Sequence, residues 1–315
     1  MKPLSLIFFL LLSALLVWLS AGIGFGGWQA PHTLEPVMLE IRLPRVAAAL
    51  LVGAALSAAG AGLQALFENP LADPGLIGTS AGAALGVVGV LALGWTGVSV
   101  PLAAFAGALA VCLLILAAHR FTGGGISGLL ILGLIVSAFC SATVSLILFL
   151  SDDLTLRSAS IWLAGSLAEA GFVPPGRVAL VMLAGLALLL SCGRGLDCLM
   201  LGEDTAHSSG VAVGRLRVQT VIAAALLTGA AVSLSGIIGF IGMMVPNILS
   251  SAVGGGRRRL IVLSAWLGGM MLLVLDSAAR WIAFPVDLPV GIVIALLGGP
   301  FFMWLFLHSI HRKAG

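Results

Sequence analysis

Residues 127–150 read SGLLILGLIVSAFCSATVSLILFL, with no charged side chain in the run. As an α-helix at 1.5 Å per residue this stretch is about 36 Å long, enough to cross roughly 30 Å of hydrocarbon. Its apolar residues are continuous and do not alternate with polar ones, which excludes a barrel strand. Nine further runs of similar character flank it, at 4–24, 44–66, 76–95, 99–118, 175–192, 216–235, 238–253, 260–279 and 289–308. The run at 238–253 is the shortest and contains Pro246. Across all 315 residues, 60% are hydrophobic and 9% charged, and mean hydropathy is +1.20. Soluble domains carry about 25% charged residues, so lipid is the solvent here. The expected fold class is an all-α membrane protein of about ten transmembrane helices in one domain over residues 1–315.

The first run follows Met1-Lys2 and ends near Ser20-Ala21-Gly22, the outline of a signal peptide. With nine runs behind it, it reads as the first span. Many of the 42 glycines fall inside the runs. In lipid, small residues let helix backbones approach closely, so a tight bundle is expected. Cys112, Cys140, Cys192 and Cys198 have no metal-ligand spacing and read as small apolar residues.

Ten spans put both termini on one side. With the N-terminus inside, the inner loops hold Lys2, Arg120, Arg194, Arg215, Arg217, Arg257, Arg258, Arg259, Arg312 and Lys313, which satisfies the positive-inside rule. The basic residues thus orient the chain in a membrane, and no nucleic-acid partner is expected. Arg42, Arg45, Arg157, Arg177 and Arg280 fall on the outer side. Arg42 and Arg45 share one turn at the mouth of the second span, against the charge rule. They read either as snorkelling anchors or as a docking surface for an acidic partner.

Residues 48–60 (AALLVGAALSAAG) and 224–236 (AALLTGAAVSLSG) agree at nine of thirteen positions. The first copy runs from outside to inside and the second from inside to outside, an inverted repeat of the kind found in transporters. Two inner loops stand out. Phe67–Gly75 carries two prolines and a glycine, the composition of a stiff turn. In the long loop from Gly193 to Gly214, Asp204 or Thr205 is placed to cap a short helix that Gly210 ends. That helix reads as a docking element or a simple connector. The two lysines, Lys2 and Lys313, are terminal, and no phosphate-binding loop motif occurs. The runs also lack a carboxylate near the membrane centre, as an ion-coupled carrier would need. The energy source is therefore expected on another subunit. An ion-coupled secondary transporter is the rival class.

In order along the chain come Arg42-Leu43-Pro44-Arg45, Asn69-Pro70-Leu71-Ala72-Asp73-Pro74-Gly75, Trp162-Leu163-Ala164-Gly165-Ser166-Leu167, Gly239-Phe240-Ile241-Gly242 with Val245-Pro246, Leu288-Pro289-Val290-Gly291, and Gly299-Pro300-Phe301-Phe302. With these motifs the chain resembles the FecCD-like permease subunits of type II ABC importers, which take up ferric siderophores, heme and cobalamin. The resemblance implies a cobalamin-permease-like bundle, a second permease copy (a homodimer), two cytoplasmic ATPases that hold ATP and Mg, a periplasmic binding protein, and the bacterial inner membrane. It implies no cofactor and no metal on this chain, and no catalytic residue. It implies binding-protein docking by Arg42, Arg45 and Arg280. It also implies coupling to the ATPase by Leu201, Gly202, Glu203, Asp204, Ala206, His207 and Gly210, and an inner gate of Asn69, Leu71, Ile126 and Ser127. The chain departs from the family where Asn247 and Ser250 replace a histidine and an arginine. It departs again at Gly124-Gly125-Ile126-Ser127-Gly128, where cobalamin permeases are richer in hydroxyls. Glu68-Asn69-Pro70 is similar to cobalamin permeases, while Ala283-Phe284-Pro285 and Asp287-Leu288-Pro289 are similar to ferric-siderophore permeases. The balance favours an iron chelate over cobalamin.

Overall fold

Each of the ten apolar runs is a helix in the computed structural model, which describes residues 3–24, 27–31, 36–122, 125–170 and 175–314. The spans are α1 (Pro3–Gly22), α2 (Leu43–Leu66), α3 (Thr79–Ala92), α4 (Val100–Thr122), α5 (Gly125–Leu150), α7 (Pro175–Leu199), α9 (Val213–Ser235), α10 (Ile241–Ala252), α11 (Arg257–Ile282) and α12 (Val290–Ala314). Two shorter helices complete the set, α6 (Asp153–Leu163) and α8 (Glu203–Ser208). Among the described residues, six helices are long and apolar enough to cross a membrane, and four more are apolar but shorter.

The sequence reading misses the small elements. A π-helical turn, Met38–Arg42, leads into α2, and Pro44 occupies the first turn of that helix, where its missing N–H costs nothing. Strands β1 (Ile23–Gly24) and β2 (Gly27–Trp28) pair antiparallel just after α1. Helix α6 is too short to register as a span. It starts where the Asp152 carboxylate accepts the Thr155 N–H. The long inner loop is also shorter than expected, because α7 continues to Leu199. Gly124, the first residue of the motif at the start of the fifth span, lies outside the described residues.

Helix α1 packs on α11: the Trp266 indole N–H donates to Ser13 Oγ at 3.0 Å, and the Ser20 and Ser277 hydroxyls are 2.7 Å apart. Helices α2 and α9, which carry the two repeat copies, are the most enclosed spans, and they pack against each other. As the second and seventh spans they are separated by an odd number of crossings, so they run antiparallel. Their neighbours match as an inverted repeat requires. Helix α2 packs on α11, the fourth span of the second half, and α9 packs on α4, the fourth span of the first half. The sixth repeat position makes the same kind of contact in both copies: Gly53 meets Gly268 of α11, and Gly229 meets Phe105 and Ala108 of α4. The last position breaks the symmetry. Gly60 stays helical, whereas Gly236 ends α9 with a left-handed φ of 66°.

Gly60 faces the carbonyl oxygen of Gly242 in α10, and a methyl group there would overlap it. Pro246, four residues on from Gly242, has no N–H to give that carbonyl. The Gly60 Cα–H faces that carbonyl oxygen instead, a weak but recurrent helix–helix contact. Gly60→Ala forces α2 and α10 apart and is expected to destabilise the protein by about 1–3 kcal/mol, the usual cost of overpacking. Gly89→Ala on α3 meets nothing within 4 Å and should be neutral or stabilise by up to about 1 kcal/mol through helix propensity. Thermal unfolding of the two variants in detergent checks the contrast.

Candidate functional site

Arg45 lies one turn into α2 and is 8% exposed. Its guanidinium is fully engaged. Nε and Nη2 donate to the Asp276 carboxylate at 3.0 and 2.8 Å, and Nη1 and Nη2 donate to Asp287 at 2.8 and 2.9 Å. Asp276, in the second-to-last turn of α11, is 1% exposed, while the Asp287 side chain on the α11–α12 loop is 30% exposed. Arg280, one turn after Asp276, places Nε 3.1 Å from Asp276 Oδ2. Its Nη1 donates to the Ile23 carbonyl at 2.7 Å, and its Nη2 reaches Ser20 and Ser277. Two arginines and two aspartates thus tie α2, α11, the α11–α12 loop and the β1–β2 hairpin together at the end of the bundle away from α8.

Arg42 has no carboxylate partner among the described residues. Its nearest polar contacts are long, 3.4 Å to Gln29 Oε1 and 3.5 Å to the Ala21 carbonyl. Arg42, Arg45, Arg280 and Asp287 line one cavity of about 170 Å³ at this end, walled by Ile41 and Phe284. The sequence groups the three arginines, and the structure does bring them together. It gives them different positions, however: Arg45 and Arg280 are held in an internal network, and Arg42 is the cation left at the rim. The aspartates were the missed residues. Asp276 and Arg280 are visible in sequence as an i, i+4 pair, but nothing in sequence spacing links either to Arg45 or Asp287.

At the opposite end the loop after α2 is built by side chains. Asn69 Oδ1 accepts the Leu71 N–H at 2.9 Å, and Asp73 Oδ1 accepts the Gly75 N–H at 2.8 Å, which starts a 3-10 turn, Pro74–Ile77. Burial pushes the Asp73 carboxyl above its usual range, against the pull of that N–H. The Thr79 hydroxyl donates to the Pro74 carbonyl. Asn247 of α10 uses both amide hydrogens, one to the Pro70 carbonyl at 2.7 Å and one to the Met243 carbonyl at 2.8 Å. Gln64 also donates to Met243. The residue where the chain departs from the family pattern is therefore the clamp between this loop and α10. Leu71 is exposed, as is Ser127 in the first turn of α5, and Ile126 is half-buried. Among the described residues no hydrogen bond joins Asn69 or Leu71 to Ile126 or Ser127.

Helix α8 forms within the loop where a short helix is expected, but its N-cap is Gly202, with φ 106°, and neither Asp204 nor Thr205. Those two residues lie inside the helix, because a cap must leave helical geometry and the glycine does so at no steric cost. Ala206 is fully buried, and its N–H donates to the Gly202 carbonyl. Leu201, Glu203, Asp204, His207 and Gly210 are exposed. Glu203 accepts from Arg217 of α9 at 2.6 Å, which fastens α8 to the start of a central helix.

A bundle of ten apolar helices with an inverted repeat, a charged clamp at one end and a short exposed helix at the other is the permease subunit of a type II ABC importer. The chain belongs to the FecCD transport family, which it matches over residues 3–308. It is 38% identical over 288 residues to the hemin transport system permease protein HmuU of Yersinia pestis, covering 89% of this chain and 85% of that protein. It is also 38% identical over 278 residues to the vitamin B12 import system permease protein BtuC of Vibrio parahaemolyticus, covering 87% and 84%. A solved inward-facing ABC transporter of metal-chelate type shares the fold with a TM-score of 0.86 at 29% identity, over 98% of this chain and all of that one.

Replacing Arg45 tests the clamp. Arg45→Met leaves Asp276 buried with only Arg280 beside it. Removing one partner of a buried ion pair costs about 3–5 kcal/mol. The expected result is a large drop in the unfolding temperature of the detergent-purified protein, with a smaller drop for Asp287→Asn because Asp287 is partly solvated.

Proposed function

We propose that the chain forms, with a second copy of itself, the path by which an iron chelate, heme first, enters the cytoplasm across the bacterial inner membrane. The similarity to a hemin permease over most of both chains carries the substrate reading. Equal identity to vitamin B12 permeases supports cobalamin as the second reading. On this proposal the N- and C-termini are cytoplasmic, as the distribution of Lys and Arg supports. Two ATPase subunits hold ATP and Mg and dock at α8, while the permease itself binds no cofactor and catalyses nothing. Helix α5 supports the two-copy path. Its exposed face is largely apolar, with Ile131, Leu134, Ile135 and Phe139, but it is broken by Ser127, Ser141 and Ser145, hydroxyls that a lined route can use and lipid cannot. Asn69, Leu71, Ile126 and Ser127 then form the inner gate.

Uptake into proteoliposomes containing the permease, its ATPase and its binding protein tests the substrate and the energy source together. Saturable heme accumulation that requires ATP is expected. ATP-driven cobalamin accumulation without heme or siderophore uptake would select the second reading, and uptake driven by an ion gradient without ATP would select the rival class of transporter.

The binding protein is proposed to dock on the outer rim, with its carboxylates meeting Arg42 and with Arg45 and Arg280 holding that surface in shape. The lack of an acidic partner for Arg42 among the described residues supports this. A rim ion pair contributes on the order of 1 kcal/mol and is weakened by salt. Arg42→Glu replaces an attraction with a repulsion. It should weaken binding-protein association about tenfold or more at low ionic strength while leaving the unfolding temperature unchanged. An affinity and salt slope equal to wild type would make Arg42 a snorkelling anchor.

A further inference from the structure

A cavity of about 520 Å³ opens at the α8 end of the bundle, between the last turns of α4 and the first turns of α5 and α9. Its rim holds His119 and Arg120 of α4, and Gly214 and Arg217 of α9. Among the described residues no carboxylate lines it. His119 Nδ1 and Arg217 Nε are buried without a hydrogen-bond partner, and buried polar groups are rarely left so. Helix α9 starts here without a side-chain cap, so its first N–H groups and the positive end of its dipole are also available to an anion. Arg217 already gives Nη2 to Glu203, while Arg120 is exposed and engages no carboxylate among the described residues.

Above the rim the walls are apolar. Leu113 and Leu116 of α4, Leu129 of α5 and Ile222 of α9 extend the cavity into the hydrocarbon zone. At 1.5 Å per residue, Leu113 lies about 9 Å deeper than His119, and Ile222 about 7.5 Å deeper than Arg217. A basic rim over an apolar slot matches one end of an amphiphile to each part. A free phosphate would use only the rim, and a soluble protein docked beneath would reach no further than the rim.

We infer that this cavity is a site for an anionic phospholipid of the leaflet on the α8 side. The phosphodiester meets Arg120, His119 and the α9 N-terminus, and an acyl chain lies along Leu113, Leu129 and Ile222. Basic pockets between spans are known to take such headgroups. Because Arg217 joins the rim to Glu203, the bound lipid sits against the anchor of α8.

Delipidated full-length permease in neutral detergent, titrated with phosphatidylglycerol, phosphatidylcholine or inorganic phosphate and read by native mass spectrometry and thermal shift, tests the site. The expected result is phosphatidylglycerol binding about tenfold tighter than phosphatidylcholine, with no stabilisation by inorganic phosphate. Arg120→Ala should collapse the preference for the anionic headgroup. Leu113→Trp, which fills the slot, should abolish the tight phosphatidylglycerol adduct. Both side chains are exposed, so the fold tolerates each change, and the wild-type lipid comparison stands even if one variant expresses poorly. Equal binding of the two lipids, wild-type preference in both variants, or full stabilisation by inorganic phosphate alone would overturn the assignment.

Discussion

Backbone carbonyl against glycine is the contact on which the bundle is built. Lipid tails are as apolar as leucine, so helices in a membrane gain little from hiding apolar side chains and must gain from close packing. Helix α2 shows how that is done. Gly53 and Gly268 bring α2 and α11 together backbone to backbone, and Gly60 and Gly242 do the same for α2 and α10. Gly82 and Gly107 join α3 to α4 in the same way. Each contact is reciprocal, since each glycine of the pair abuts the carbonyl side of its partner helix. The result is a central helix with Ala48, Ala49, Val52, Ala59 and Leu63 fully enclosed.

Packing of this kind sets distance but not register, because small residues slide past one another. The polar contacts supply the register. At its N-terminal end, Arg45 fixes α2 against Asp276 of α11 and Asp287 of the next loop. At its C-terminal end, Gln64 and Asn247 fix α2 and its following loop against α10 through the Met243 and Pro70 carbonyls. In a low-dielectric surrounding each such group is costly if left unpaired, so a one-residue slip of α2 would break both ends at once. Arginine suits the outer position better than lysine because its planar fork serves two carboxylates simultaneously.

The ten long apolar runs made the helices legible in sequence, since length and absence of charge alone decide a span. The repeat was legible because it preserves the glycine that contacts the fourth span of the opposite half, Gly53 in one copy and Gly229 in the other. Of the small elements, α8 was legible as a helix but not in its cap, and α6 was not legible at all. Helix α6 depends on an Asp152 cap rather than on an apolar run, and the cap of α8 is a glycine whose left-handed φ no sequence pattern distinguishes from an ordinary turn. The same limit applies to the site. Spacing collected Arg42, Arg45 and Arg280 on one rim because the topology put them on one side. It had no means of separating the buried hub from the cation that has no carboxylate partner among the described residues, since that difference lies in Asp276 and Asp287, more than two hundred residues away from Arg45.

That difference also bears on the source of energy. Asp276 is the carboxylate set deepest in a span, and a buried acid in a transporter is first suspected of carrying protons. A carrier acid must lose and regain its charge during the cycle, which needs a partner that can leave. Asp276 instead accepts two hydrogen bonds from Arg45 Nε and Nη2 and lies 3.1 Å from Arg280 Nε. Arginine does not give up its proton in a protein, so neither partner can exchange a proton with the carboxylate. The geometry makes Asp276 an anchor between α2 and α11, which fits a permease in the ABC importer class, where the work is done by another subunit.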